Sequence, residues 1–568
     1  MRKEFEITRT RSWKLITIVT SLMMMLVVNV RTAPLGNHLD ASFSSDGKTT
    51  RRVTGNLEGA TDAAIQPDGK IVVVGSVAIT QRDFLVVRYN SDGTLDETFG
   101  NNGAVTTDMS GMDQPRAVAV QSDGKIVVGG YASSLTSSVF AIARYNTDGS
   151  LDTTFGSSGK TFASFGEYSG IHDLAIQSGG KIVAVGSASP SLGQTVFALA
   201  RWNANGTLDT SFSFDGRLTT TTAGYADSVV IQPDGKIVAA GGIGQLELVR
   251  YHTDGSLDTF FGGDGKVQTA IGDSINGWGL ALQTDGKLVA TGGGLLNSQA
   301  ILGVARYTTD GSLDPTFSGD GKFFYSPDAT VQNQFGRDVV IQPNGKIVTL
   351  GRVSADTALI RLNANGTLDQ DFGNAGIIQT DMGSSSLDQA LSISIAPNRK
   401  LVVTSHTEFN GVPSFGIARY STDLSVPRPP SDFDGDGVSD LAVFRPANGA
   451  WYVLNSYNNT FTVTGFGLPG DIPLDGDFNG DDRNDYAVFR PSNGVWYTTH
   501  TSNNEFRAVQ FGVNGDIPVP GDFDHDAKTD RAVWRSSEGN FYILRSSDNQ
   551  WAVSHWGANG DIPIGAHN

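Results

Sequence analysis

Three acidic nine-residue segments near the end of the chain carry residue types suited to binding a metal ion. They begin at Asp432, Asp477 and Asp522, at a period of 45 residues, and each places Asp or Asn at positions 1, 3, 5 and 9. Ca²⁺ is a hard cation that takes about 6 to 8 oxygen ligands, and a backbone carbonyl at position 7 would add another oxygen. The spacing predicts three calcium loops, and a set of Asx turns that hold no ion is the alternative.

These segments are not EF-hand loops, because Val443, Val488 and Val533 stand where an EF-hand has its bidentate glutamate. They resemble instead the calcium loops of FG-GAP or VCBS-type repeats, over about residues 430 to 568. Only the first loop keeps a glycine at its sixth position, since Asp482 and Ala527 replace it in the other two. Carried across by position, the resemblance implies the side-chain ligands Asp432, Asp434, Asp436 and Asp440; Asp477, Asn479, Asp481 and Asp485; and Asp522, Asp524, Asp526 and Asp530, with the carbonyls of Val438, Arg483 and Lys528.

A second set of charged residues recurs too regularly to be a catalytic site. Arg88 is followed eight residues later by Asp96, and the same pair recurs along the chain. A group needed for chemistry is needed once, whereas a group repeated in every unit more simply forms an ion pair or holds a turn. We therefore interpret these pairs as structural. The others are Arg144 with Asp152, Arg201 with Asp209, Arg250 with Asp258, Arg306 with Asp314, and Arg361 with Asp369.

The remaining candidates for chemistry form no recognisable motif. No zinc-protease, nucleophile-elbow, P-loop or dinucleotide fingerprint is present. The eight histidines stand at no ligand spacing, and we assign each an isolated surface or turn role: His38, His172, His252, His406, His500, His525, His555 and His567. Single residues gathered from several repeats would leave no such motif.

A repeated turn and a repeated Leu-Asp-x-x-Phe element organise residues 36 to 425. Each occurs seven times, at intervals of 49 to 59 residues. Self-similarity at such a period indicates a solenoid, a propeller or an array. The turns end at Lys70, Lys125, Lys181, Lys236, Lys287, Lys346 and Lys400, and the second element begins at Leu39, Leu95, Leu151, Leu208, Leu257, Leu313 and Leu368.

Each repeat offers four candidate strands, which in one copy are Ala117 to Gln121, Lys125 to Tyr131, Phe140 to Asn146 and Lys160 to Ala163. The second is a continuous apolar run, which is typical of a strand buried on both faces. Four-stranded units repeated around an axis are β-propeller blades, of which about 4 to 8 are usual. The sequence predicts an all-β protein, with a seven-bladed β-propeller and a smaller three-repeat propeller-like β module.

Spacing within the repeat separates a constant connection from a variable one. Fifteen residues join Arg88 to Gly103, and this interval recurs, so the connection between the third and fourth strands is a fixed compact loop. The interval from turn lysine to repeat arginine varies from 14 to 20 residues. We expect the variable loops to lie together on one face, opposite the lysine turns. They include Ala78 to Asp83, Ala132 to Ser138, Ala188 to Thr195 and Gly294 to Ala300.

The two ends of the repeat region complement each other. The last repeat stops after Tyr420 without a Leu-Asp-x-x-Phe element, whereas Leu39 to Phe43 and Lys48 to Arg52 supply that element and a strand at the start. We expect the first segment to pair beside Phe415 to Tyr420 and to place Asp40 near Arg419. This closure would remove two exposed strand edges.

The repeats also resemble a known family. The motifs Ile-Gln-Pro-Asp-Gly-Lys-Ile-Val, Ala-Arg-Tyr-Asn-x-Asp-Gly-x-Leu-Asp and Thr-Phe-Gly are similar to the delta-60 repeat, a tandem β-propeller-like repeat of bacterial proteins. The resemblance covers roughly residues 36 to 425. It implies export and a repeat architecture, and it supplies no catalytic residues. Gly179 and Asn398-Arg399 depart from the turn pattern.

Composition and the first residues indicate an exported protein that does not bind nucleic acid. The chain has 59 acidic and 41 basic residues, which leaves no basic surplus for a phosphate backbone. Cysteine is absent, which removes disulfides and thiol chemistry. Basic residues precede the apolar stretch Leu15 to Val30, and Ala33 offers a cleavage point, as in a secretory signal. An uncleaved membrane anchor is the alternative, although a span needs about 20 residues.

These patterns divide the chain into four parts: a signal peptide (1–33), a seven-repeat β-propeller (36–425), a Pro-rich linker (426–431) and three FG-GAP/VCBS-like repeats (432–568). We interpret the protein as a secreted or cell-surface, calcium-binding scaffold for binding or adhesion to an extracellular glycan or protein, with membrane contact only through an uncleaved signal. A secreted propeller enzyme acting on polysaccharide and a structural surface-layer component are the alternatives. A pocket at the disc centre lined by clustered acids or histidines would favour the enzyme, which the sequence leaves undecided.

Overall fold

The computed structural model describes residues 38–51, 56–78, 81–134, 136–191, 194–222, 224–326, 336–353, 356–383, 388–397, 399–409, 412–421, 430–435, 438–456, 459–481, 483–524 and 528–564. The predicted signal peptide and most of the predicted linker lie outside these ranges. Every regular element within them is a β-strand, so the predicted all-β class is confirmed. No described segment forms a helix with the length and apolar character of a membrane span.

The strands up to Tyr420 form seven four-stranded antiparallel sheets within the described residues, and two of the sheets are joined by a single parallel pair between Tyr168 and Ser138. The first three sheets comprise β2 (Asn56–Ile65), β3 (Ile71–Ala78), β4 (Arg82–Tyr89) and β5 (Ala104–Thr107); β6 (Met112–Val120), β7 (Ile126–Ser133), β8 (Ser138–Tyr145) and β9 (Lys160–Ala163); and β10 (Tyr168–Ile176), β11 (Ile182–Ser191), β12 (Gln194–Trp202) and β13 (Arg217–Thr220). The next three comprise β14 (Ala226–Ile231), β15 (Ile237–Gly241), β16 (Leu246–Tyr251) and β17 (Lys266–Thr269); β18 (Ser274–Leu282), β19 (Leu288–Leu296), β20 (Gln299–Tyr307) and β21 (Lys322–Tyr325); and β22 (Asp338–Ile341), β23 (Ile347–Val353), β24 (Asp356–Leu362) and β25 (Ile377–Thr380). The seventh comprises β26 (Gln389–Ile395), β27 (Leu401–Phe409), β28 (Val412–Tyr420) and, from the start of the chain, β1 (Lys48–Arg51).

The four strands predicted in the second copy are confirmed as β6 to β9, and all but one of their boundaries agree within two residues. The first strand begins at Met112, five residues before the predicted start at Ala117. It continues through Pro115, which pairs with Gly130, and then through a bulge. Proline is tolerated here because β6 is the first strand of its sheet and hydrogen-bonds to a neighbour on one side only.

The core lies between successive sheets. The second and third strands of the first sheet are buried along almost their whole length, as the continuous apolar runs predict. Val72, Val74 and Val86 pack against Ile126 and Val128 of the next sheet. Each sheet therefore owes its stability to burial between two neighbours rather than to a core of its own.

The predicted strand exchange between the ends of the repeat region is confirmed. β1 pairs antiparallel with β28, with Lys48 opposite Ala418 and Arg51 opposite Phe415. The Nε atom of Arg419 lies 2.6 Å from Oδ2 of Asp40. The core of the first sheet continues into that of the last, because Val73 and Val87 belong to the same buried cluster as Phe415.

The loops between second and third strands lie at the end opposite the lysine turns. In the first sheet, Ile71 beside the turn pairs with Tyr89, and Ala78 at the far end pairs with Arg82. The first strands of neighbouring sheets lie side by side, because Asp62 of the first sheet accepts a hydrogen bond from the amide of Val118 in the second. This arrangement places the described parts of these loops on one variable face, as expected.

Residues after 430 form three smaller sheets. The strands predicted at Leu441 to Arg445, Tyr486 to Arg490 and Arg531 to Arg535 are present, and each pairs with the aromatic strand that follows it. The first sheet has three strands and the other two have four in the part of the chain that the structure describes. They comprise β29 (Leu441–Arg445), β30 (Ala450–Leu454) and β31 (Phe461–Gly465); β32 (Ile472–Leu474), β33 (Tyr486–Arg490), β34 (Val495–Thr499) and β35 (Phe506–Gln510); and β36 (Ile517–Pro518), β37 (Arg531–Arg535), β38 (Asn540–Leu544) and β39 (Trp551–His555).

Removing the carboxylate of Asp40 should test the closure. We expect Asp40→Ala to lower the free energy of unfolding by about 3–5 kcal/mol, because it leaves the buried Arg419 guanidinium without its partner. Asp46→Ala is the control, since Asp46 is exposed and accepts a hydrogen bond from the amide of Lys48. Urea denaturation measures both. Equal melting temperatures for proteins that start at residues 34 and 56 would contradict the closure.

Candidate functional site

One position on the first strand of each sheet, here called the inner strand, changes its residue type from sheet to sheet. In β2, β6, β10, β14, β18 and β26 this residue sits at a bulge, where the pairing register skips it. A bulge re-aims a side chain, and bulges are frequent beside active sites. The residues at this position, each nine before the turn lysine, are Thr61, Arg116, His172, Asp227, Trp278, Arg337 and Leu391.

These bulge-position residues meet in one pocket between the inner strands. The pocket has a volume of about 350 Å³, and every one of the seven contributes to its wall. Asp62, Asp173 and Asp338, each the next residue along its strand, line it as well. Seven sheets thus present seven side chains of six types and a group of acids to one space.

Three of the acids are half-buried and bridge neighbouring inner strands. The Oδ2 atoms of Asp62, Asp173 and Asp338 accept hydrogen bonds from the next sheet's Val118, Val229 and Ile393 amides at 2.8–2.9 Å. Burial, and next the charge of Asp173, raises the pKa of Asp62 to about 8. Burial likewise raises the pKa of Asp173 to about 6 and that of Asp338 to about 7. Their carboxyl groups can therefore hold protons near neutral pH.

The other side chains form two further contacts at the pocket wall. The Nδ1 atom of His172 lies 2.7 Å from Oδ1 of Asp227, and the imidazole stacks on the ring of Tyr225. The guanidinium of Arg337 lies over the Trp278 ring at 5.1 Å. Burial lowers the pKa of Arg337. The pocket thus offers a cation, an aromatic face and a histidine–carboxylate pair to a polar ligand.

The opposite end of the space between the inner strands is apolar. Its wall includes Ala64, Ile65 and Val118 near the lysine turns, together with Leu282 and Ile395. The polar groups are therefore confined to the end nearer the variable face.

The recurring arginine–aspartate pairs are structural, as the sequence predicts. Arg88 donates through Nε to Oδ2 of Asp96 at 2.7 Å, lies over the Phe99 ring and donates to the Thr147 carbonyl of the next sheet. Oδ1 of Asp96 accepts hydrogen bonds from the amide and hydroxyl of Thr98. Burial acts to raise the pKa of Asp96. Hydrogen bonds from Thr98, Lys70 and Arg88 outweigh this effect, so the pKa is lowered. The pair holds the fixed loop and joins two sheets.

Two of the three predicted calcium loops bring acidic oxygens together among the described residues. Asp432, Asp434 and Asp440 each place one ligand atom within 4.8 Å of the others, and Asp522, Asp524 and Asp530 do the same.

In the second loop, the Asn479 amide donates to Asp481. Burial, and next the charge of Asp477, raises the pKa of Asp485 to about 8. Asp436 and Asp526 lie outside the described residues.

The last aspartate of each loop also has a structural role. Oδ2 of Asp440 accepts from the Phe433 amide at 2.7 Å, and its Oδ1 accepts from the Ser456 amide. Asp485 and Asp530 make the same two contacts in their own repeats. Oδ1 of Asp432 accepts from the Gly435 amide, as in an Asx turn. The loop geometry is consistent with both the calcium and the Asx-turn interpretations.

The first two predicted calcium loops contact the lysine-turn face. Oδ2 of Asp432 accepts a hydrogen bond at 3.1 Å from Arg399, the residue that departs from the turn pattern. Arg483 donates to the carbonyl of Pro67 at 2.8 Å. Consecutive loops also touch, since the Asn484 amide donates to the Asp432 carbonyl. The first proposed ligand of loop one is therefore shared with an arginine of the seventh sheet.

The isolated surface or turn roles assigned to histidines are wrong for two of them. His172 and His406 both line the pocket. No motif could reveal them, because each belongs to a different repeat. A usable signal existed for His172, namely that the residue nine before the turn lysine takes six different types in seven repeats while its surroundings recur. His406 does not occupy this position.

Comparisons with known proteins support the repeat fold. Six segments match the family described as a domain of unknown function (DUF5122) beta-propeller: residues 66–99, 121–155, 177–212, 232–261, 283–317 and 342–372. Each segment spans the lysine turn, the second and third strands and the Leu-Asp-x-x-Phe element. No curated protein matches the chain.

Similar solved structures are distant in sequence. The structure of Sqt1 from Chaetomium thermophilum is 13% identical, with a TM-score of 0.37, and the match covers 66% of this chain and 100% of that one. Polysaccharide lyase Uly1 is 10% identical, with a TM-score of 0.41 and coverage of 66% and 92%. The PQQ-bound aldose sugar dehydrogenase from Streptomyces coelicolor is 13% identical, with a TM-score of 0.32 and coverage of 66% and 98%. Similarity at this level carries no argument about function.

The raised pKa of Asp62 predicts a pH dependence of stability. The unfolded carboxyl has a pKa near 3.8 and the folded one about 8, so the folded protein holds an extra proton between these values. This proton stabilises the folded protein fully below about pH 4, and the stabilisation is lost as pH rises through 8. Between these values the unfolding free energy falls by at most about 1.4 kcal/mol per pH unit. We expect Asp62→Asn to flatten the fall of the unfolding free energy between pH 5 and 8. The control is Asp285→Asn at an exposed turn, which should keep the wild-type dependence of the unfolding free energy on pH. The same dependence in the wild type and both variants would refute the prediction.

Proposed function

We propose that this protein is an exported, cell-surface or extracellular binding protein whose inner-strand pocket takes a polar, hydroxyl-rich ligand of saccharide type. The observation that supports this is the convergence of the seven bulge-position residues in one space. Repeated residues maintain the fold, whereas a side chain that occurs once per ring is free to recognise a ligand. Export rests on the signal-like first 33 residues.

The pocket chemistry suits a sugar better than an apolar ligand. Arg116 and Gln114 supply donors, and Asp227 and Ser228 supply acceptors, to hydroxyl groups. The Trp278 ring offers a flat apolar face of the kind that packs on a sugar ring. A ligand with an acid group would also find the guanidinium of Arg337.

A polysaccharide-cleaving enzyme is the second candidate. A pocket lined by clustered acids and histidines is the feature that we expected of an enzyme. His172 lies within hydrogen-bond distance of Asp227, and the neighbouring half-buried Asp173 and Asp338 have raised pKa values. These are the properties of general acids and bases, and any such chemistry would occur at the same pocket.

A glycan screen of the full-length protein separates these functions. We expect binding to a subset of glycans, weakened at least tenfold by Trp278→Ala. Trp551→Ala is the matched control, because Trp551 is an exposed aromatic of β39, outside the pocket. Product analysis of the bound glycans would reveal cleavage and favour the enzyme. Binding that survives Trp278→Ala but is lost in Trp551→Ala would move the site to the last sheet.

The proposal also includes Ca²⁺ binding by the three predicted loops. Their donors are oxygens, which suits Ca²⁺ when the carboxylates are ionised. The clusters Asp432, Asp434, Asp440 and Asp522, Asp524, Asp530 support the fit, and the residues outside the described ranges add Asp436 and Asp526. The ion would stabilise the C-terminal repeats and take no part in chemistry.

Thermal melting of the full-length protein tests the calcium loops. With a Kd near 0.1 mM, about 2 mM Ca²⁺ would add about 1.8 kcal/mol per site over a chelator control. We expect Asp434→Asn to reduce this shift and Arg399→Ala to increase it, since removing the guanidinium takes away a positive charge that competes with the ion for Asp432. Asp285→Asn should match the wild type. If Ca²⁺ raises the melting temperature of Asp434→Asn as much as that of the wild type, loop one is an Asx turn without an ion. If Mg²⁺ raises the wild-type melting temperature as much as Ca²⁺ does, the predicted preference for calcium is wrong.

A further inference from the structure

Three aspartates meet where the first and second sheets join, at the end of the strands away from the lysine turns. Asp83 lies on β4, Asp108 follows β5, and Asp113 lies on β6 of the next sheet. Each places one carboxylate oxygen within 4.8 Å of the others. We call this cluster the junction site. It shares no residue with the calcium loops or the inner-strand pocket.

The carboxylate of Asp113 is buried with one oxygen unpaired. Its side chain is fully buried, at 0% exposure, and Oδ2 accepts from the Met109 amide. Oδ1 has no hydrogen-bond partner, and neither does the buried Oδ1 of Asp83. Burying such an oxygen without a partner is costly, so an ion or a water molecule that pairs with it would stabilise the fold. Asp108 is exposed and leaves the cluster open to solvent.

Nearby charge does not neutralise the cluster. Lys160 donates to the backbone carbonyl of Asp108 and contributes one positive charge against three carboxylates. Burial, and then the charges of Asp108 and Asp83, raises the pKa of Asp113 to about 6. The net charge of minus two that remains when all three acids ionise is matched by a divalent cation.

A second cluster, called here the sister cluster, has the same geometry and contains a hydroxyl donor. Asp356, Asp381 and Asp388 occupy the equivalent junction between the sixth and seventh sheets. There, the Thr407 hydroxyl donates to Oδ1 of Asp388 at 2.7 Å. Ala132 stands in the position of Thr407 opposite Asp113 and has no hydroxyl to donate. The first junction therefore lacks the donor that the second contains.

We propose that Asp83, Asp108 and Asp113 bind a hard divalent cation of the Ca²⁺ class. All three donors are carboxylate oxygens, which such ions prefer. The ion would bridge strands of two sheets and fix their junction on the variable face. This site is independent of the proposed calcium loops and of the proposed ligand pocket.

Calcium binding to the full-length protein, measured by equilibrium dialysis, tests the site. We expect Asp113→Asn to lose one bound Ca²⁺ per chain. Ala132→Thr should weaken that site at least tenfold while keeping all three carboxylates, because the new hydroxyl would occupy Oδ1 as Thr407 does. Lys160→Met should tighten it. Asp388→Asn is the matched control in the sister cluster and should keep the wild-type stoichiometry.

The outcomes separate this site from the calcium loops. Loss of one Ca²⁺ in Asp113→Asn supports the junction site whether or not Asp434→Asn also loses one. A wild-type stoichiometry in Asp113→Asn, with circular dichroism confirming its fold, overturns the proposal. Should Asp113→Asn fail to fold, an unchanged affinity in a folded Ala132→Thr protein would overturn it equally.

Discussion

The buried arginine clamp is the interaction on which the rest of this structure depends. In each repeat an arginine pairs with the aspartate of the fixed loop, covers a phenylalanine ring, and in most repeats reaches a carbonyl of the next sheet. A buried charge without a partner costs about 3–5 kcal/mol, so opening one clamp would destabilise the array by that amount. The seventh clamp joins the ends of the region, through Arg419 and Asp40.

This rigid frame explains why function and repetition are separated along the chain. The lysine turns, the fixed loops and the second and third strands carry similar residues in each repeat, because each must fit between two equivalent neighbours. The inner-strand bulge faces the shared central space instead. Its residue is released from the packing constraint, so arginine, histidine, aspartate and tryptophan can stand at equivalent positions.

Local patterns allowed the strands, the fixed loop and the closing strand to be predicted, since each follows from periodicity or from a missing element. The pocket could not be predicted in this way. His172 and Asp227 lie in different repeats, and only the ring brings them within 2.7 Å. The same holds for Asp83 and Asp113, whose meeting depends on how two sheets join. Spacing indicates the calcium loops but does not decide between an ion and an Asx turn, because both use the same oxygens.

A crystal structure of the protein with a glycan selected by screening would test the central claim most directly. We expect density for the sugar between the inner strands, in contact with Trp278 and at least one of Arg116 and Arg337. Density on the exposed aromatics Trp551 or Trp556 of the last sheet, with the pocket filled only by water, would contradict it.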